Sequence, residues 1–175
     1  MKPLYVEWVH GLDAKPWGTK STALRDEAAS NSVAMEALDY NGVNDPEQRA
    51  ALLVKRIRDI GSEASVALAG SSMGGYVSLL ACREVKVEAL WLLCPALSFE
   101  QCRFQEFPWA QMPMTVVHGW DDEAVPVDCS IRLARAHQAI LHLIPGDHRF
   151  SGSLDIIREL FATFLRQLKE VDAPS

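Results

Sequence analysis

Apolar residues along the chain gather into short runs of consecutive positions, each closing on a turn-forming residue and each followed by a stretch with helical spacing. That alternation predicts a parallel α/β sheet. Six strands are expected, over residues 4–9, 32–38, 65–69, 89–93, 114–118 and 139–144. Most are apolar at successive rather than alternate positions, so helices should cover both faces of the sheet, giving a three-layer α/β/α sandwich. Between the second and third strands, Asp45 stands as an N-cap, Pro46 occupies the first helical position and Gly61 lies just past the end. The stripe of that helix is Ala50, Leu53, Val54 and Ile57. The last helix carries Ile157, Leu160, Phe161, Phe164, Leu165 and Leu168 at three- and four-residue spacing, a core face rather than a cofactor site. No repeat or low-complexity segment interrupts the pattern; residues 1–170 read as one domain and residues 171–175 as a frayed tail.

Composition narrows the classes of function. At 175 residues the chain can remove about 70% of its unfolded surface from water, enough for a real core. A formal net charge of −6 supplies no general basic field, which argues against a nucleic-acid partner. No apolar stretch long enough to span a membrane is present, and no signal segment precedes the first strand, so a cytoplasmic location is expected. Cys82, Cys94, Cys102 and Cys129 form no Cys-x-x-Cys pair and sit in apolar or helical patterns, as buried thiols do. No metal-ligand spacing is visible, and no cofactor is expected.

The third strand runs into Gly70-Ser71-Ser72-Met73-Gly74, a Gly-x-Ser-x-Gly pattern between a strand and a helix. The register selects Ser72. Its glycines lie two residues away on either side, where a sharp turn brings backbone against backbone; centring on Ser71 would place Ala69 and Met73 there. A phosphate-binding loop would need Lys and Ser/Thr after the last glycine, but Tyr76 and Val77 follow Gly75. A serine hydroxyl needs a base, and the base needs an orienting acid. In a sheet of this kind both should follow later strands.

The fifth strand leads into HGWDDEAVP and the sixth into PGDHRF. His148 is the expected base; His118, His137 and His142 lie in less suitable places. Of the two aspartates, Asp122 is preferred because it stands four residues past His118 and three before Val125, a spacing that recurs in hydrolases with the acid on this loop. Asp121 is expected to cap the turn with its side chain. Charge developing on a carbonyl oxygen also needs backbone donors, and the amides of Met73, after the serine, and Leu12, in the loop after the first strand, are assigned to that task. Gly11 lets that loop approach, and His10 is expected to brace it.

Taken together, VHGL, GSSMGG, the Asp122-Glu123 pair and GDHRFSG, in that order, resemble the small bacterial YqiA-like esterases of the α/β-hydrolase superfamily, over almost the whole chain. The resemblance implies a trimmed α/β-hydrolase fold, mostly parallel, with little or no lid, and serine-dependent hydrolysis of esters or thioesters of small or acyl-chain substrates. The acid loop itself is closer to the carboxylesterase and dienelactone-hydrolase type. The alternative is the same fold, catalytically idle, serving as a binding or interaction module. Residues 97–112 are the only segment long enough for a small lid; Phe99, Phe104, Phe107 and Trp109 either line an acyl pocket or cover the helix layer. Lys15 and Lys20, after the oxyanion loop, either favour an anionic substrate group or stand solvated at the surface, which is the commoner case and the one expected. Glu7 falls in the first strand where an apolar residue belongs, and must find a cation or a proton.

Overall fold

The computed structural model describes residues 2–171. Six strands, β1 (Leu4–Val9), β2 (Ala34–Ala37), β3 (Ser65–Ser71), β4 (Leu90–Leu93), β5 (Met114–Gly119) and β6 (Ile140–Ile144), form one sheet in the order β2-β1-β3-β4-β5-β6. Every neighbouring pair is parallel. Five helices connect or follow them: α1 (Thr19–Ser30), α2 (Pro46–Ile60), α3 (Met73–Ala81), α4 (Val127–His137) and α5 (Leu154–Val171). Val171, expected in the tail, closes α5, and residues 172–175 lie outside the described residues.

The uninterrupted apolar runs have their physical outcome in two cores, one on each face of the sheet. On one face Leu53, Val54 and Ile57 of α2 meet Tyr76, Val77 and Leu80 of α3. On the other, Leu24 and Ala28 of α1 meet Ile157, Phe161 and Leu165 of α5. Trp91 of β4 packs on Phe161 with ring centroids 4.7 Å apart. Each such fully buried large side chain contributes about 1.5–3 kcal/mol of transfer free energy, so the two faces hold the layers together without any disulfide.

Local signals place the element ends. Asp45 Oδ1 accepts from the Glu47 amide at 3.0 Å, Pro46 opens α2, and Gly61 follows it with φ +60°. The second strand begins later than residue 32 because Ser32 adopts φ 53°, a left-handed turn that a strand cannot contain. The third continues through Ser71 rather than stopping at Ala69, because Gly70 and Ser71 still pair with Leu92 and Leu93 of β4.

Glu7 is fully buried, and its carboxylate is the acceptor for three donors. Tyr5 Oη donates to Oε2 at 2.7 Å, the Leu38 amide to Oε1 at 2.9 Å, and Arg56 Nε of α2 approaches Oε2 at 3.4 Å. Burial raises its pKa despite those donors. Both expected remedies, a cation and a raised proton affinity, act on the same side chain.

Candidate active site

The chain reverses at Ser72 with φ 57° and ψ −126°, a conformation that non-glycine residues avoid and that appears where a strand is turned abruptly into a helix. The two flanking glycines are required by contact. A Cβ on Gly74 would lie 1.9 Å from the carbonyl oxygen of Val9, and one on Gly70 would lie 2.7 Å from that of Gly74. The turn is closed by the Ser72 amide donating to Leu93 O at 3.0 Å and by Ser72 O accepting from the amides of Gly75 and Ala96. Ser71 is buried at the end of β3, whereas Ser72 is partly accessible.

Acid and histidine reach the same sheet edge because their loops are stitched together. Trp120 N donates to Ile144 O at 2.9 Å and Asp121 N to Gly146 O at 3.0 Å. His148 Nδ1 stands 2.7 Å from Asp122 Oδ2, with the carboxylate fully buried and the imidazole partly accessible. Asp122 Oδ1 accepts from the amides of Ala124 and Val125 at 2.9 and 2.8 Å. The turn cap expected of Asp121 is therefore supplied by Asp122 itself, because one carboxylate has enough lone pairs to close its own turn and face the imidazole. Burial pushes the Asp122 pKa up, but the Val125 amide, His148 and the Cys94 thiol outweigh it, so the carboxyl is held below its ordinary value. Among the described residues no hydrogen bond joins Ser72 Oγ to His148, whose own bonds run to Asp122 and Lys20.

Two further histidines support these loops. The carbonyl oxygen of Gly11 can only accept, so His10 Nδ1, 2.9 Å away, carries the proton, and Nε2 accepts from the Tyr40 amide at 3.2 Å. By the same reasoning His118 Nε2 donates to Val125 O at 3.0 Å, while Nδ1 accepts from Ser130 Oγ at 2.6 Å; its Nε2 is also 3.3 Å from Asp122 Oδ2. Burial lowers both pKa values. Lowered histidines stay neutral in the folded protein while the unfolded chain takes up protons below about 6.5, so stability is lost as pH falls. Glu7, raised, has the opposite sign, but His142 shares the sign of His10 and His118. The expected outcome is a lower Tm at about pH 5.5 than at about pH 7.5 in thermal unfolding. An equal or higher Tm at the lower pH contradicts this.

Lys20 is not the surface lysine its position suggests. Nζ donates to Ser71 Oγ at 3.1 Å and to His148 O at 3.3 Å, and lies 5.2 Å from the centre of the Phe150 ring. Burial lowers its pKa. It thus ties the serine turn to the histidine loop; nothing in the sequence distinguishes it from exposed Lys15, because its partners are 51 and 128 residues away.

The amides of Leu12 and Met73 have no acceptor among the described residues, and a Cβ on Gly11 would come within 3.3 Å of Ser72 Cβ, so this loop does lie against the serine. The four aromatics of residues 97–112 pack on α3 and on one another. Phe99 and Phe107 pack edge-on against Tyr76 of α3 at 5.4 and 5.9 Å, Phe104 packs on Trp109 at 5.2 Å, and Trp109 Nε1 donates to Leu79 O at 2.8 Å. A cavity of about 510 Å³ between this segment and α4 is lined by Leu97, Phe107, Cys129 and Leu133, and not by Ser72, Asp122 or His148.

Cys94, Asp122 and His148 place potential metal-ligating atoms within 4.8 Å of one another. Burial pushes the Cys94 thiol well above its ordinary range, so it offers no thiolate, and Asp122 is already engaged by His148. The group is a poor fit for a metal ion. Among the described residues no helix is long and apolar enough to cross a membrane.

No curated protein matches this sequence. Among solved structures, the chain is similar to a protein of the α/β-hydrolase superfamily from Xanthomonas campestris pv. campestris, with 26% identity, a TM-score of 0.84, and 95% of this chain and 99% of that one covered. It shares its fold with Est1E from Butyrivibrio proteoclasticus (19% identity, TM-score 0.84, 97% and 89% covered). The same holds for XC6422 from Xanthomonas campestris, an α/β serine hydrolase without lid (19% identity, TM-score 0.79, 95% and 82% covered). Residues 4–108 match the family described as "Uncharacterised protein family (UPF0227)", and the chain, an α/β hydrolase by fold, belongs to that family.

Proposed function

We propose that the protein is a serine hydrolase that cleaves carboxylic esters or thioesters of small or acyl-chain substrates through an acyl-enzyme. The observation that carries this reading is the 2.7 Å contact between His148 Nδ1 and the buried Asp122 carboxylate, on loops bonded to each other at the edge where Ser72 is turned outward. In the first step His148 Nε2 takes the Ser72 proton as Oγ attacks the substrate carbonyl, and the alcohol or thiol leaves with that proton. Water, deprotonated by the same nitrogen, then releases the acid and restores the hydroxyl. The amides of Leu12 and Met73 receive the oxyanion. No cofactor is needed.

The test is reaction with a fluorophosphonate probe, with the label mapped to Ser72, followed by p-nitrophenyl and acyl-CoA esters of graded chain length. Est1E, which shares this fold, is known with ferulic acid bound, so a hydroxycinnamate ester belongs in the panel. Labelling of Ser72 with hydrolysis of at least one ester is expected. An unlabelled, inactive but folded protein rejects this function in favour of the idle binding module, and a label on Ser71 rejects the choice of serine.

A further inference from the structure

Arg49 on α2 is only 2% exposed, and among the described residues no carboxylate pairs with it. A buried cation with no carboxylate in contact is costly, even with the Tyr40 ring 5.2 Å from its Cζ, and an apolar side chain would fill the same place without that penalty. The hydrogen bonds it makes among the described residues, from Nε and Nη1, all go to backbone carbonyls. Nε donates to Val43 O, and Nη1 donates to His10 O at 3.3 Å and to Gly11 O at 3.1 Å. The last two are consecutive carbonyls of the loop that lies against Ser72.

The peptide joining Gly11 to Leu12 is planar and trans, so its C=O and N–H point in opposite directions. Drawing Gly11 O toward Arg49 Nη1, and toward His10 Nδ1 at 2.9 Å, turns the Leu12 N–H to the other side of that plane. That amide has no acceptor among the described residues. Hydrogen bonding to a peptide oxygen also polarises the unit and strengthens its N–H as a donor. We infer that Arg49 is a positioning residue that fixes the Leu12 amide as an oxyanion donor by anchoring the carbonyls of His10 and Gly11. The inference rests on the acyl-transfer reading above, but the orientation it describes is a property of the free protein.

Arg49→Met removes the donors while keeping an unbranched side chain of similar reach. In this variant kcat is expected to fall about 10- to 100-fold, because misplacing one preorganised donor acts on the transition state. KM should stay within about threefold, since a ground-state carbonyl draws little on that donor. Arg49→Lys, which restores a cationic donor group on a single nitrogen, should recover part of the loss. The second readout needs no substrate: the NMR order parameter of the Leu12 amide should be near 0.85 in the wild type and below about 0.6 in the Met variant. A folded Met variant with unchanged kcat, or with Leu12 as rigid as in the wild type, overturns the inference. Should the Met variant fail to fold, the Lys variant carries the same two comparisons against the wild type. If the wild type hydrolyses no ester, the acyl-transfer reading falls while the Leu12 measurement still decides the role of Arg49.

Discussion

Ser72→Ala is expected to lower ester hydrolysis by a factor on the order of 10⁴ or more, with Tm and far-UV circular dichroism close to wild type. Residual rate should remain above the uncatalysed reaction, because backbone donors near the substrate act without the hydroxyl. Folding should survive because Ser72 is partly accessible and the bonds closing its turn are made by its own N–H and C=O, which alanine keeps. Alanine at φ 57° is no more strained than serine there. The neighbouring substitution provides the contrast. Ser71→Ala removes the oxygen that receives Lys20 Nζ, but Lys20 keeps its bond to His148 O, so a loss of about tenfold or less is expected. Steady-state kinetics on the two variants, with fluorophosphonate labelling, separates the roles: an active Ser72→Ala protein would remove the basis of the proposed function, and equal losses in both would remove the register argument.

What could be read from the residues divides along a physical line. Uninterrupted apolar runs report burial on both faces, so strand number, helix layers and the α5 stripe were legible. The Gly70 and Gly74 signals were legible because a close backbone approach excludes a Cβ whatever the distant context. The strand ends at Ser32 and Ser71 were not, since they depend on a turn torsion and on the neighbour across the ladder. Lys20, Arg49 and His118 escaped for a shared reason. Each is a polar residue satisfied by partners that only the folded chain brings to it, across 128 residues for Lys20 and across 7 and 12 for His118, and no periodicity marks such a pairing. Asp121 and Asp122 show the limit in miniature: two adjacent identical side chains were given a cap and a catalytic acid, and one of them makes both sets of bonds. Phe99 and Phe107 were ambiguous because an apolar ring facing a substrate and one facing Tyr76 leave the same trace in the sequence.

Asp122→Asn is expected to cost about 10⁴ in turnover although it changes a single atom. The argument follows from the two ends of the carboxylate. Oδ1 accepts from the amides of Ala124 and Val125, neither of which can accept in return, so an asparagine must keep its carbonyl oxygen there. Its NH₂ then occupies the place of Oδ2, 2.7 Å from His148 Nδ1. An NH₂ cannot accept the Nδ1 proton, so the imidazole is driven to the tautomer protonated on Nε2, and the nitrogen that should take the Ser72 proton already holds one. Stability should change little, because the turn bonds survive and the volume is the same. The loss should therefore appear in kcat and kcat/KM with normal folding, and should ease at alkaline pH where hydroxide supplants the histidine. Asp121→Asn, whose side chain accepts no hydrogen bond among the described residues, is the matched control and should retain most activity. A reversed ranking of the two asparagine variants would transfer the orienting role to Asp121 and break the link between the 2.7 Å contact and catalysis.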